Sequence, residues 1–167
     1  IMIDKLEKYK SALEEETYNH WMGVARFFRG FEYCRLVETF GDVPYYGKSI
    51  SDADTDEMYK DRTPRNEVME HVYNDFDFAL NNIRENDGTQ YLNRFIAAGF
   101  VSRLMLFEGT WQKYHKNDTE LAKKYLTMAK EAGDKVLGNS KWQISGDFKS
   151  LFGSTDLSGN KEVLMYR

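Results

Sequence analysis

Residues 17–39, TYNHWMGVARFFRGFEYCRLVET, place Trp21, Val24, Phe28, Phe31, Cys34 and Val37 at three- and four-residue spacing, with Arg26, Arg29, Glu32 and Arg35 between them. That is the period of an amphipathic α-helix rather than the alternation of a strand. Gly41 is expected to end it. The same period returns in Val68, Val72, Phe76, Ala79, Leu80 and Ile83, a helix for which Thr63 is the expected N-cap, Pro64 the first residue and Asp87-Gly88 the stop. A third helix is predicted over 92–114 from Phe95, Ala98, Val101, Leu104, Met105 and Glu108. The fourth starts at Asp118 or Thr119, turns Leu121, Ala122, Tyr125, Leu126, Ala129, Ala132 and Val136 inward, and ends at Gly138-Asn139. A shorter helix is expected over 3–15. The tail from Trp142 should be mostly irregular, with a short strand at 163–166.

Pro44 and Pro64 bracket the one long stretch without helical period, PYYGKSISDADTDEMYKDRTP. The second and fourth helices share an echo: Val72, Phe76, Ala79 against Ala122, Leu126, Ala129. Gly30 with Tyr33, and Ala98 with Val101, take the small-residue and partner positions of a first repeat helix, where small residues let helices approach. The connections exceed what a repeat of roughly 34 residues allows. The expected fold is therefore all-α, one helical domain over 1–167 built of tetratricopeptide-like hairpins with long inserted loops.

Composition narrows the function. A chain of 167 residues that is 41% hydrophobic and 30% charged suits a soluble globular domain. Its net charge of -4 and scattered Lys and Arg argue against nucleic acid as a partner. No apolar run approaches the roughly 20 residues that span a bilayer. The N-terminus IMIDKLEKYK is too polar for a signal peptide. The chain opens on Ile1 and closes on KEVLMYR, so it is expected to be a piece of a longer polypeptide, and a missing leader is no argument against export. Cys34, alone and on a helical stripe, reads as a buried apolar residue.

Residue types that carry chemistry are present but not in working patterns. His20, His71 and His115 have no metal-ligand spacing. Asp52, Asp54 and Asp56 match the first ligand positions of a calcium loop, yet Glu57 stands where glycine is required and Thr63 where the bidentate acid belongs. Ser102 and His71 lack the glycines of a nucleophile elbow. No catalytic residue, metal site or cofactor is expected. Aromatics, 15% of the chain, suit sugar faces and helical cores alike. Phe28, Phe31, Phe76 and Phe107 are assigned to the core. Tyr45, Tyr46 and Trp111 lie in or beside the long connections, and Tyr46 and Trp111 are the candidates for ligand contact.

The order of landmarks is more specific than any one of them. GVARFFRGFEYCRLVETFGDVPYY offers Arg26, Phe28, Arg29, Tyr33, Leu36 and the run Phe40-Gly41-Asp42-Val43-Pro44. RTPRNEVMEHVYNDFDFAL offers Arg62, Pro64, Val68, Asp75 and Ala79. NRFIAAGFVSRLMLFEGTWQKYH offers Arg94, Ala97-Ala98, Arg103, Leu106 and Gly109, and FKSLFGSTDLSGNKEVLMYR offers Leu151-Phe152 and Glu162. In this order and spacing the chain resembles the SusD/RagB family of outer-membrane nutrient-binding lipoproteins of Bacteroidetes. The resemblance implies a tetratricopeptide-like scaffold and a non-catalytic, lipid-anchored cell-surface protein that captures a glycan, or in some members a peptide, for a SusC-like TonB-dependent transporter. Members are much longer than this chain, and their lipid-bearing cysteine would precede Ile1; Cys34 does not match it. No binding residue carries over by match. Within LFEGTWQKYH, Gly109 is expected to form a close helix corner with Trp111 packed under the neighbouring hairpin. The alternatives are an intracellular tetratricopeptide adaptor for a peptide or protein partner, and a hydrolase supported by residue types alone.

Overall fold

The computed structural model describes residues 1–88, 91–144 and 146–165. Its helices are α1 (Met2–Lys8), α2 (Glu15–Phe40), α3 (Thr55–Met58), α4 (Arg65–Asn82), α5 (Arg94–Trp111), α6 (Thr119–Leu137) and α7 (Phe148–Gly153). Among the described residues no strand forms; Val43 and Thr63 make a single isolated bridge. The architecture is all-α, with α2 paired to α4 and α5 paired to α6 as tetratricopeptide-like hairpins. Contacts divide the chain into two compact units, Ile1–Arg84 and Glu85–Arg167. Among the described residues no helix is long and apolar enough to cross a membrane.

In the first unit α2 meets α4 along Gly23, Phe27, Gly30, Cys34 and Val37, and α4 answers with Val68, Val72, Phe76 and Ala79, all buried. The expected α4 stripe holds at every position. The expected α2 stripe holds at Val24, Cys34 and Val37 but not at Phe28 and Trp21: Phe27 is buried, whereas Phe28 is 50% and Trp21 40% exposed. Phe31 is half-buried, stacked on Phe27 at 6.1 Å. The reason is at Gly30, where an added Cβ would sit 2.8 Å from the Phe76 ring. Docking the helices where glycine admits a ring centres the contact on Gly30, and Phe28 lies well round the helix from that line.

Boundaries differ in instructive ways. Gly41, at φ 72°, closes α2 as expected and donates its N–H to Val37 O. Helix α4 begins one residue later than expected, with Pro64 in the flanking position and Thr63 making no cap. The Asp42 carboxylate receives the Arg65 N–H instead, at 2.8 Å. Helix α4 also ends at Asn82, before Asp87-Gly88. Asn81 and Asn82 donate to the carbonyls of Asp77 and Phe78, and the next residues are claimed by α2: Arg84 N–H donates to His20 Nδ1, and its guanidinium grips Glu16.

In the second unit α5 and α6 meet through Ala98, Val101, Met105, Ala122, Tyr125, Ala129 and Ala132, all buried. Asn93 caps α5 and Asp118 caps α6. At Gly109 an added Cβ would meet Leu126 Cγ at 2.6 Å and Leu126 N at 3.0 Å, so this glycine forms the expected close corner. Phe107, assigned to the core, is 45% exposed because the contact face runs through Met105, Glu108 and Gly109. The tail contains α7, capped by Asp147, which the composition did not suggest. Val163–Met165 is not a strand, and Tyr166 lies outside the described residues.

Candidate functional site

The Pro44–Pro64 loop is closed at its base before it leaves the helices. Thr63 N–H donates to Val43 O at 3.0 Å, and Tyr45 N–H donates to Thr63 Oγ1 at 3.2 Å. Thr63, expected as a helix cap, is a latch between the two ends of the loop. Arg65 anchors the same corner from beneath, with Nη1 donating to Val37 O at 3.1 Å.

Above that base, α2 reaches up to hold the aromatic residues. Arg29 donates from Nε to Asp75 Oδ2 and from Nη2 to Asp75 Oδ1, both at 2.7 Å, and from Nη1 to Gly47 O at 2.9 Å. Arg26 adds Nε to Asp75 Oδ1 at 2.8 Å and lies over the Phe78 ring. Burial works against the Arg29 charge, but the hydrogen bonds and charge of Asp75 outweigh it and hold the guanidinium above its ordinary pKa. One guanidinium therefore ties α2, α4 and the loop together.

Tyr33 Oη accepts the Tyr46 N–H at 2.7 Å, which fixes the backbone beside Tyr46. The Tyr45 ring stacks flat on His71, centroids 4.0 Å apart and 4° between planes. Burial raises the pKa of both Tyr33 and Tyr45. Tyr46 is half-buried, its hydroxyl 3.4 Å from Met58 O and Lys60 Nζ 4.4 Å from its ring centre. Further along, Ser49 is held by Asp4 of α1, and Tyr59 stands 82% exposed. The calcium-like run is occupied internally: Asp54 accepts from Ser51 N–H and Oγ, both at 3.1 Å, and those bonds lower its pKa. Among the described residues no cluster of His, Cys, Asp and Glu could hold a metal ion.

The second unit carries Trp111 at the end of α5, where the helix widens into a π-turn over Gln112–Lys116. The indole is half-buried, with Lys116 Nζ 5.3 Å from its ring centre and His115 at 6.0 Å. Lys116 and His115 lie on its own turn, and the corner itself is made by Gly109. Beneath the turn, buried Gln112 donates to buried Glu108 at 2.8 Å. Tyr46 and Trp111 thus belong to different units. The roles of Arg26, Arg29 and Asp75 as an assembled group escaped sequence reasoning. The available signal was Asp75 itself, an acid lying among Val72, Phe76 and Ala79 on an otherwise apolar stripe.

The structure defines a class, an all-α scaffold of helical-repeat hairpins that holds a loop of aromatic side chains by its backbone. The particular family follows from comparison. Residues 1–106 match the SusD-like family model described as starch-binding and associating with the outer membrane, and the chain belongs to that family. It is 28% identical over 155 residues to the SusD-like protein P2 of Formosa agariphila, a match covering 90% of this chain and 28% of that protein. Among solved structures, one determined with xylogluco-oligosaccharide superposes with a TM-score of 0.66 at 20% identity, covering 98% of this chain and 31% of the other. A SusD-like carbohydrate-binding protein from Bacteroides vulgatus superposes with a TM-score of 0.54 at 24% identity, over 80% and 27%. The chain therefore spans less than a third of the length of these relatives.

Proposed function

We propose that this chain is the helical part of a non-catalytic, lipid-anchored cell-surface receptor that captures an oligosaccharide and delivers it to a SusC-like TonB-dependent transporter. The observation that carries the reading is the family match over residues 1–106, with its description of starch binding at the outer membrane. Relatives described by a bound xylogluco-oligosaccharide or as carbohydrate-binding support the ligand class. The loop geometry is in keeping with it: Arg29, Tyr33 and Thr63 hold Tyr45, Tyr46 and Gly47 by their backbone, so contact with a sugar need not freeze the loop. Tyr46 and Trp111 are the proposed ligand contacts. A sugar ring presents an apolar C–H face to such rings and hydroxyls to their polar edges.

The test has two parts. The full-length parent is purified from detergent-solubilised outer membranes, and a TonB-dependent transporter is expected with it in stoichiometric amount. Recovery only in the soluble fraction with cytosolic partners would replace this reading with the adaptor. The same preparation, incubated with neutral oligosaccharides, is expected to bind without releasing product.

A further inference from the structure

The second unit holds a cavity of about 610 Å³ that none of the features above uses. It lies between the start of α5 and the tail, lined among others by Asn93, Ile96, Lys141, Trp142, Asn160 and Lys161. Its walls are tied in place. Gln143 N–H donates to Lys161 O at 3.1 Å, Glu162 N–H donates to Asn160 Oδ1 at 2.9 Å, and Leu164 occupies the space that Gly99 leaves open on α5.

Three chemical features of the lining stand together. Trp142 supplies an indole wall, and its Nε1–H is buried with no hydrogen-bond partner among the described residues. Asn93, 6% exposed, has its Oδ1 fixed by the N–H groups of Phe95 and Ile96, both at 3.0 Å, which leaves its Nδ2 to donate elsewhere. Among the described residues of the lining, Lys141 and Lys161 are the ionisable groups and no carboxylate occurs, and Lys141 Nζ lies 5.1 Å from the Trp142 ring centre. An indole face, amide donors and two ammonium groups, in a described lining that holds no carboxylate, ask for a ligand with an apolar ring face, acceptor oxygens and a negative charge.

We propose that this cavity binds a carboxylate-bearing sugar residue, a uronic acid, with Trp142 against the ring face, Asn93 toward the ring oxygens, and Lys141 and Lys161 about the carboxylate. The inference rests on the glycan-binding reading and narrows it to acidic saccharides at a second place on the chain.

Calorimetric titration of the 167-residue chain with methyl β-D-glucuronide and with methyl β-D-glucoside tests it. The glucuronide is expected to bind about tenfold more tightly, the equivalent of one charge-assisted hydrogen bond, with the preference shrinking as salt is added. Lys161→Gln, on the surface, should reduce the preference, and Lys141→Gln combined with it should abolish the preference. Trp142→Phe keeps an aromatic wall and should retain the preference, whereas Trp142→Ala should weaken both sugars; circular dichroism checks that each variant is folded. Equal affinity for the two sugars, no binding of the glucuronide, or a preference that survives the combined Lys141→Gln and Lys161→Gln substitution overturns the proposal. Neutral oligosaccharides bound through Tyr46 or Trp111 alongside any of those results would leave the glycan reading standing and remove only this site.

Discussion

Arg29 and Asp75 face each other in a two-pronged contact, Nε to Oδ2 and Nη2 to Oδ1, each at 2.7 Å, across the interface of α2 and α4. The Asp75 side chain is 2% exposed, and Arg29 and Arg26 keep 19% and 27%. Removing the acid strands two arginines in a half-buried setting. Asp75→Ala is expected to cost about 3 kcal/mol in urea unfolding, the lower end for a broken buried pair because the arginines retain some water. A loss below about 1 kcal/mol would mean that the arginines find solvent without Asp75.

Close approach at glycine gives a second expectation. Gly109→Val drives a branched side chain into Leu126 and its backbone nitrogen, where even a Cβ would be 3.0 Å from an atom that cannot swing away. The thermal midpoint should fall by several degrees. Tyr46→Ala, which removes half-exposed contacts to Met58 and Lys60, should shift it little. Equal shifts in the two variants would contradict the packing at the α5–α6 corner.

The hydrogen bond from Tyr46 N–H to the Tyr33 hydroxyl is accessible to a one-atom change. Tyr33→Phe leaves that donor without its acceptor and is expected to cost about 1 kcal/mol. Amide exchange should accelerate at Tyr46 and its loop neighbours while the α4 amides stay protected. Unchanged exchange at Tyr46 would show that Arg29 and Thr63 suffice to hold the loop.

Alkaline titration should be asymmetric between folded and unfolded chain. Burial raises the pKa of Tyr33 and Tyr45 above the ordinary 10.0. The unfolded chain therefore loses these protons first, so their contribution to stability is fully present below 10.0 and disappears as pH rises through the higher folded values. Tyrosinate absorbance of the folded protein should show a late-titrating fraction that Tyr33→Phe reduces. A single transition at the ordinary value would contradict the burial of these rings.

For ligand contact, Tyr46→Ala and Trp111→Ala are each expected to weaken oligosaccharide binding by about fivefold or more, the scale of a modest interface contact. Binding unchanged in both would move the site to other residues of the longer protein.

The sequence carried the helices for a simple physical reason. Apolar spacing of three and four is a local property, and it marked α2, α4, α5 and α6 together with the buried positions Val72, Phe76, Ala79, Val101 and Ala129. Capping is equally local, which is why Asp118 and Gly41 fell in place. Phe28 and Phe107 were misassigned because periodicity defines a stripe wider than the contact, and neighbouring residues on a helix compete for its centre.

What the sequence determined by itself was the class of structure: an all-α chain of paired amphipathic helices, the glycine corner at Gly109 and the family to which the ordered landmarks belong. The tertiary structure decided which residues act together. Arg29 and Asp75 are 46 positions apart, as the Tyr45–Thr63 latch is 18 apart, and no local pattern links such partners. Their meeting depends on how α2 lies against α4, which is set by the fit of Gly30 to Phe76 and appears only when both helices are folded.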